Sequence, residues 1–201
     1  MSLNINKSDD NKLFDMIIAT DLNWGIGVDN KLLTFVKQDM DFFKQITLEH
    51  VVIMGRKTAD SLPRGYLKGR TNIILSKTYE NKIEPEIIDY ETSIIKINSI
   101  DKLLKYLNNT KLLNKKPFIV IGGRSIYLEF LQRDLIDRVF LTTYLKKFNN
   151  VDTYIPDLLT LGFKYDLTNP YHIITGYELP KKAIINGRET EMEFTIHTLT
   201  I

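Results

Sequence analysis

The 201-residue chain has no cysteine, which excludes disulfide bonds, a thiolate nucleophile and a metal site with cysteine ligands. It also lacks an apolar run long enough to cross a bilayer and any signal-like hydrophobic segment, which favours a cytoplasmic protein that does not enter membranes. The net charge of +2 is too small to indicate a nucleic-acid partner. With 43% hydrophobic and 26% charged residues, the composition is typical of a globular protein.

The order of apolar segments predicts one α/β domain at residues 14–201, preceded by a polar, disordered extension or tag at residues 1–13. Strands and helices alternate first and strands then follow strands, so we expect a mainly parallel central sheet that ends in an antiparallel C-terminal hairpin. Helices are expected at residues 36–47, 55–62, 99–107 and 124–133. Strands are expected at residues 14–20, 51–54, 71–76, 87–90, 94–97, 118–121, 139–145 and 192–199.

The pair Gly122-Gly123 joins an apolar strand to a helix. Such a junction points the free N–H groups of a helix start outward and lets a ligand reach the backbone, which suits a phosphate or a flat ring. The alternative is an ordinary tight turn. Residues 55–58 (Gly-Arg-Lys-Thr) and the pair Ser76-Lys77 follow two other strands and could likewise bind an anion, or be solvated basic loops.

Asp39 is the unusual residue of the first helix. Projected at about 100° per residue, it falls within the apolar arc, between Phe43 and Ile46. A carboxylate there is costly unless it is hydrogen-bonded or lines a cavity, so Asp39 is a candidate for binding or proton chemistry. The alternative is a residue that caps the first turn. The long loop at residues 21–31 is either a lid or a plain surface loop, and residues 148–157 are expected to form an acidic, irregular loop.

Together these motifs resemble the dihydrofolate reductase family over residues 14–201. The matching segments, in order, are Ile18-Ala19, Gly25-Ile26-Gly27 with Asn30, Asp39 followed by Phe43-Lys44, residues 53–58 (Ile-Met-Gly-Arg-Lys-Thr), residues 67–70 (Leu-Lys-Gly-Arg), residues 73–76 (Ile-Ile-Leu-Ser), residues 120–123 (Val-Ile-Gly-Gly) through Tyr127, Thr142, and residues 152–157 (Asp-Thr-Tyr-Ile-Pro-Asp). The resemblance implies the family's α/β fold with helices on both faces of the sheet. It also implies NADPH-dependent reduction of 7,8-dihydrofolate to 5,6,7,8-tetrahydrofolate, antifolates as inhibitors, no metal, and a monomer.

On the substrate side, the resemblance implies that Asp39 holds the pyrimidine edge of the pterin through two charge-assisted hydrogen bonds, supported by the Thr142 hydroxyl. Arg70 is expected to pair with the α-carboxylate of the glutamate tail. Water is the expected proton donor to N5. The apolar walls are expected to come from Ile18, Leu32, Phe43, Leu62 and Ile121, with Leu32 grouped with Asp39 and Thr142 as catalytic. Further substrate contacts are expected from Ala19, Leu67 and Tyr127.

On the cofactor side, the resemblance implies four groups of residues. The nicotinamide is expected near Ala19, Ile26, Gly27 and Asn30. The pyrophosphate is expected at Gly122, Gly123, Arg124 and Ser125, with a cis bond between the two glycines. The 2′-phosphate is expected at Arg56, Lys57, Ser76 and Lys77, and Thr58 is expected to cap its helix and bind the bridging phosphate. The remaining cofactor contacts are expected from Gly55, Leu75, Ile121, Ile126 and Tyr127.

Two departures from the family pattern concern the lid. The family has Leu-Pro-Trp before the catalytic helix where this chain has Leu32-Leu33-Thr34, and a glycine where it has Val151 before Asp152. We therefore expect slower or differently gated turnover and altered antifolate sensitivity. Residues 84–91 and the N-terminal tail lie outside the shared pattern. The alternatives are a riboflavin-pathway type of reductase with the same fold, acting on a pterin or pyrimidine, and a non-catalytic binding or structural protein.

Overall fold

A computed structural model describes residues 12–81, 83–110, 112, 117–166, 183–185, 188–190 and 192–201, with the backbone alone at residues 183–185 and 188–190. The predicted extension, for residues 1–11, and the C-terminal segment at residues 167–177 lie outside this part of the chain.

The chain folds into thirteen described strands and four described α-helices. The strands are β1 (Phe14–Thr20), β2 (Gly25–Gly27), β3 (Val51–Gly55), β4 (Thr71–Leu75), β5 (Glu86–Ile87), β6 (Ser93–Ile97), β7 (Phe118–Gly122), β8 (Ile136–Tyr144), β9 (Thr153–Tyr154), β10 (Lys164–Tyr165), β11 (Ala183–Ile185), β12 (Arg188–Thr190) and β13 (Phe194–Thr200). The helices are α1 (Lys37–Thr47), α2 (Arg56–Ser61), α3 (Ile100–Asn108) and α4 (Arg124–Gln132). In the described part of the chain, no helix combines the length and apolar character that a bilayer crossing requires.

The backbone divides into two compact units, and the first comprises Met1–Asp15 and Thr47–Ile136. In this unit β3 pairs in parallel with β7 and β4, and β4 pairs in parallel with β6, while β5 is antiparallel to β6. β3 and β4 are buried along their whole length, as expected for apolar strands of a parallel sheet. The Ser99 side chain caps α3 by accepting the Lys102 N–H, so this helix starts where its sequence predicts.

The second unit comprises Met16–Ile46 and Asp137–Ile201. Here β13 is antiparallel to β8 over seven residue pairs, and β10 also pairs antiparallel with β13. α1 presents the buried Phe42 and Ile46 on one face, and the Phe42 ring meets Phe140 edge-to-face at 6.2 Å between centroids. A separate short pair joins β2 to β9.

The fold class predicted from the sequence is confirmed: the sheet is mostly parallel, with antiparallel strands towards the C-terminus. The strand at residues 14–20 has the predicted bounds, and the four helices agree within two residues at each end. Three local expectations are wrong. The loops at residues 21–31 and 148–157 contain β2 and β9, which pair with each other, and the strand expected at residues 87–90 is limited to β5. Pairing between segments distant in sequence has no local periodicity to reveal it.

Candidate active site

The second unit holds a buried carboxylate, that of Asp39, which is 5% exposed. The Thr142 hydroxyl donates to Asp39 Oδ1 at 2.6 Å, and the Tyr144 hydroxyl donates to Oδ2 at 2.9 Å. Thr142 and Tyr144 are two residues apart on β8 and therefore project from the same face of the strand. The carboxylate is thus held by β8 and does not cap the N–H groups of its own helix.

The electrostatics of this site follow from its burial. Desolvation raises the pKa of Asp39 above its ordinary value, and the hydrogen bonds from Thr142 and Tyr144 act in the opposite direction. The pKa of Tyr144 is also raised, by burial first and then by the charge of Asp39, so its hydroxyl stays protonated and remains a donor. A carboxylate has about four lone-pair positions. With two taken by hydroxyls, the arrangement can accept two further N–H donors from one ligand edge.

The predicted apolar residues of the second unit differ in exposure. Ile18 is buried on β1, and Phe43 on α1 is half-buried, as are Ala19 and Ile26. Leu32 is 61% exposed, so its side chain is available for a ligand. Asn30 is exposed and Gly27 is buried. The ligand contacts expected of these residues remain predictions.

The segment from β2 to Asn30 is tied to the acidic loop by a small set of hydrogen bonds. Asp152 Oδ2 accepts the Asp29 N–H at 2.8 Å, and the Asp152 N–H donates to the Gly27 carbonyl at 3.2 Å. A Cβ added to Gly25 would lie 2.7 Å from Val151 Cγ1, so the side chain that replaces the family's glycine packs directly on β2. The two loops that the sequence predicted separately are therefore one paired structure.

In the first unit, Arg70 is only 8% exposed and its guanidinium has a fixed orientation. Arg70 Nη1 donates to the Lys68 carbonyl at 2.6 Å, and Nη2 donates to Thr47 Oγ1 at 3.0 Å. Burial lowers the pKa of Arg70 from its ordinary value. An arginine remains charged under such a shift, so the site offers a pre-oriented cation to an anionic ligand group.

The glycine junction of the first unit brings backbone segments close together. The Gly122–Gly123 peptide bond is cis, as the resemblance implied, and Gly122 has a φ of +107°. A Cβ on Gly122 would lie 2.9 Å from the Tyr127 ring, and one on Gly123 would lie 3.1 Å from Thr58 Oγ1. No side chain caps the start of α4. The junction therefore leaves backbone N–H groups at a helix start, beside a surface that a side chain would fill.

Predicted phosphate ligands surround α2, with one correction. Thr58 does not cap α2: the N-cap is Gly55, without a side-chain hydrogen bond, because Thr58 is already the third helical residue and faces Gly123. Arg56 pairs with Asp60, Nη1 to Oδ2, at 2.7 Å. Burial raises the pKa of Tyr79, and the charges of Asp60 and Arg56 act on this pKa in opposite directions.

The other predicted residues of the first unit are apolar or sit at the ends of β4 and β7. Leu62, Leu67 and Ile121 pack against one buried cluster that includes Val52 and Met54. Leu75, Ile126 and Tyr127 are buried, whereas Lys57, Lys77, Arg124 and Ser125 are exposed and Ser76 is half-buried. Their ligand contacts also remain predictions. In the described residues, no three His, Asp or Glu side chains are grouped as metal ligands would be.

Sequence reasoning missed two polar residues of the second unit. The signal for Tyr144 is its spacing of two from Thr142, which places both side chains on one face of the strand. Asp21, 2% exposed, accepts backbone N–H groups from Asn23, Gly25 and Phe148. Nothing local indicates the last of these contacts, because it joins residues 127 positions apart.

The chain is similar in sequence to proteins named dihydrofolate reductase. A family model described as "Dihydrofolate reductase" matches residues 13–172. The protein named "Dihydrofolate reductase type 3" from Salmonella typhimurium is 33% identical, over 76% of this chain and 83% of its own length. The dihydrofolate reductase of Aedes albopictus is 29% identical over 73% and 81% of the two chains. The bifunctional dihydrofolate reductase-thymidylate synthase of Paramecium tetraurelia is 29% identical over 92% of this chain, which spans only 37% of that protein.

Proposed function

Since the chain belongs to the dihydrofolate reductase family, we propose that it reduces 7,8-dihydrofolate to 5,6,7,8-tetrahydrofolate with NADPH. Family membership implies a small-molecule substrate and a nicotinamide cofactor. The observation that carries the more specific proposal is the buried Asp39 carboxylate, with one hydroxyl donor on each oxygen and two lone-pair positions remaining.

Two charged residues, Asp39 and Arg70, are proposed to bind the substrate. Asp39 would accept two N–H groups from the pyrimidine edge of the pterin, and charge-assisted bonds of this type are the strong ones. Arg70 would hold the α-carboxylate of the glutamate tail, since its guanidinium is already oriented by the Lys68 carbonyl and Thr47.

Residues of the first unit support NADPH as the proposed cofactor. Gly122 and Gly123 leave space that a Cβ would fill, and α4 starts without a side-chain cap, which suits a pyrophosphate. The exposed cations Arg56, Lys57 and Lys77, with the Ser76 hydroxyl, would bind the additional phosphate that distinguishes NADPH from NADH.

The cofactor supplies the hydride, and the protein supplies orientation, charge and exclusion of water. Asp39 would orient the pterin and favour positive charge at N5, where water delivers the proton. The paired segment of β2 and β9, tied by Asp152 to the Asp29 N–H, would act as the lid that admits this water and then excludes more.

The proposal is tested by following the loss of NADPH absorbance with dihydrofolate present. We expect the unaltered protein to turn over and Asp39→Asn to lose about a hundredfold or more in kcat/KM, because the ionised acceptor is gone. Asp41→Asn is the matched control, since Asp41 lies on the same helix but is exposed and pairs with Lys37.

Three results would contradict the proposal or favour another function. Full turnover of Asp39→Asn would disprove the assigned role of this carboxylate. Turnover with another pterin or a pyrimidine, but not with dihydrofolate, would favour the riboflavin-pathway type of reductase. No turnover with any of these substrates, combined with retained NADPH binding, would favour a non-catalytic binding protein.

A second part of the proposal concerns the lid. Thr34 stands where the family has a tryptophan, and Val151, where it has a glycine, packs on Gly25. We expect Thr34→Trp to change turnover and antifolate inhibition constants. If neither changes, these departures do not affect gating.

A further inference from the structure

The second oxygen of Asp39 is held by a residue that the resemblance did not assign. Tyr144 donates to Oδ2 at 2.9 Å, while Thr142 donates to Oδ1 at 2.6 Å. The two hydroxyls come from one face of β8, and the carboxylate comes from α1. Tyr144 therefore contacts the group on which the proposed function depends.

The Tyr144 ring is fixed by its surroundings. It is 2% exposed and belongs to a buried cluster with Val36, Met192 and Phe194. The Phe148 ring packs against it edge-to-face, with 5.9 Å between centroids. Because the ring has little freedom, its hydroxyl is aimed at Oδ2 before any ligand arrives.

The Thr142 and Tyr144 hydroxyls are the main polar partners of Asp39. Its pKa responds to burial and to the hydrogen bonds of Thr142 and Tyr144, with no contribution from a described charged residue. The titratable and charged groups on the surrounding elements are Lys37, Asp41 and Lys44 on α1, Asp137 and Arg138 on β8, Lys146 beside Phe148, and Glu193 and His197 on or beside β13.

We propose that Tyr144 is a positioning residue for substrate binding: its hydroxyl keeps Asp39 ionised and turns the carboxylate so that one lone pair of each oxygen faces the ligand. A donor to the charged form of a buried acid favours ionisation, opposing the cost of desolvation. With Oδ1 and Oδ2 each occupied once, the remaining positions match an edge with two N–H groups. This inference rests on the proposed function for the identity of the ligand, but not for the effect on Asp39.

The test compares the unaltered full chain with Tyr144→Phe, which removes the hydroxyl and keeps the ring. Carboxyl ¹³C signals of labelled aspartate are followed against pH, and the Asp39 signal is identified by its loss in Asp39→Asn. We expect the titration midpoint of Asp39 to move to higher pH. We also expect kcat/KM for dihydrofolate to fall about fivefold, mostly through KM, as for the loss of one net hydrogen bond.

Tyr165→Phe is the matched control. Tyr165 lies in the same unit and is exposed on β10, and its ring contacts His197. It should leave the Asp39 titration and KM unchanged. If Tyr144→Phe does not fold, 3-fluorotyrosine at position 144 provides the second variant, because its more acidic hydroxyl is a stronger donor and should move the midpoint to lower pH.

The outcomes separate this inference from the proposed function. If the titration midpoint of Asp39 is unchanged in Tyr144→Phe, or in the 3-fluorotyrosine variant, Tyr144 does not have the proposed role. This conclusion holds whether or not the protein reduces dihydrofolate. A midpoint that moves in the expected direction supports it, even if the unaltered protein does not reduce dihydrofolate. A loss of stability without a change in midpoint means that Tyr144 is structural only, and also overturns the inference.

Discussion

Substitution of the buried Asp21 is expected to lower the free energy of unfolding by an amount that its hydrogen bonds determine. Its Oδ1 accepts the Asn23 and Gly25 N–H groups, both at 2.8 Å, and its Oδ2 accepts the Phe148 N–H at 3.1 Å. The residue is 2% exposed, so water has little access to replace these bonds. One side chain therefore ties the start of the lid segment to the loop that follows β8.

The expected loss in the free energy of unfolding depends on which hydrogen bonds to the Asp21 side chain remain after each substitution. Asp21→Asn can keep an oxygen towards Asn23 and Gly25, but its amide N–H₂ would then face the Phe148 N–H, donor against donor. We expect a loss of about 2 kcal/mol in the free energy of unfolding, for one lost bond to a charged acceptor. Asp21→Ala leaves all three N–H groups without this acceptor and should cost about 3–4 kcal/mol.

Urea denaturation with linear extrapolation measures both values, at an unchanged m-value. Asp41→Asn is the control, because an exposed charge pair of this type contributes about 0.5 kcal/mol or less. If Asp21→Asn and Asp41→Asn lose the same stability, the carboxylate does not clamp these loops and the argument from its hydrogen bonds is wrong.

The remaining predictions concern the proposed binding residues and the lid. Because burial raises the pKa of Asp39, the folded protein loses stability as pH rises from the ordinary value of 3.8 through the raised pKa, so Asp39→Asn should be more stable than the unaltered protein at neutral pH. Urea midpoints against pH measure this difference, which should vanish below pH 3.8. Gly123→Ala places a Cβ 3.1 Å from Thr58 Oγ1 and should raise KM for NADPH about tenfold in steady-state kinetics, with KM for dihydrofolate little changed. Asp152→Asn weakens the acceptor of the Asp29 N–H, so exchange of that amide hydrogen should become faster.

Each of these three predictions has an outcome that would contradict it. Equal urea midpoints for Asp39→Asn and the unaltered protein at neutral pH would show that burial of the charge is not costly. An unchanged KM for NADPH in Gly123→Ala would place the pyrophosphate elsewhere. Unchanged exchange at Asp29, with Lys102, whose N–H is held by Ser99, as the reference amide, would mean that Asp152 does not hold the lid segment.

Much of the candidate site was predictable because its residues carry local signals. The strand that ends at Gly122, the glycine pair and α4 follow from apolar runs and turn chemistry within one short segment. Asp39 was found by its place in the apolar arc of α1. The choice between ligand binding and capping could not be made locally, since the decisive hydroxyls are more than a hundred residues away in sequence.

The sequence by itself determined where the four helices and the longer strands of the sheet form, which face of α1 is buried, and which residue types could bind anions, since these depend on neighbours within a turn or a strand. Only the tertiary structure decided that Tyr144 meets Asp39 and that β2 pairs with β9. It also decided that Thr58 faces Gly123 rather than capping α2. These contacts join distant segments, and their geometry depends on how the intervening chain packs, which local pattern does not specify.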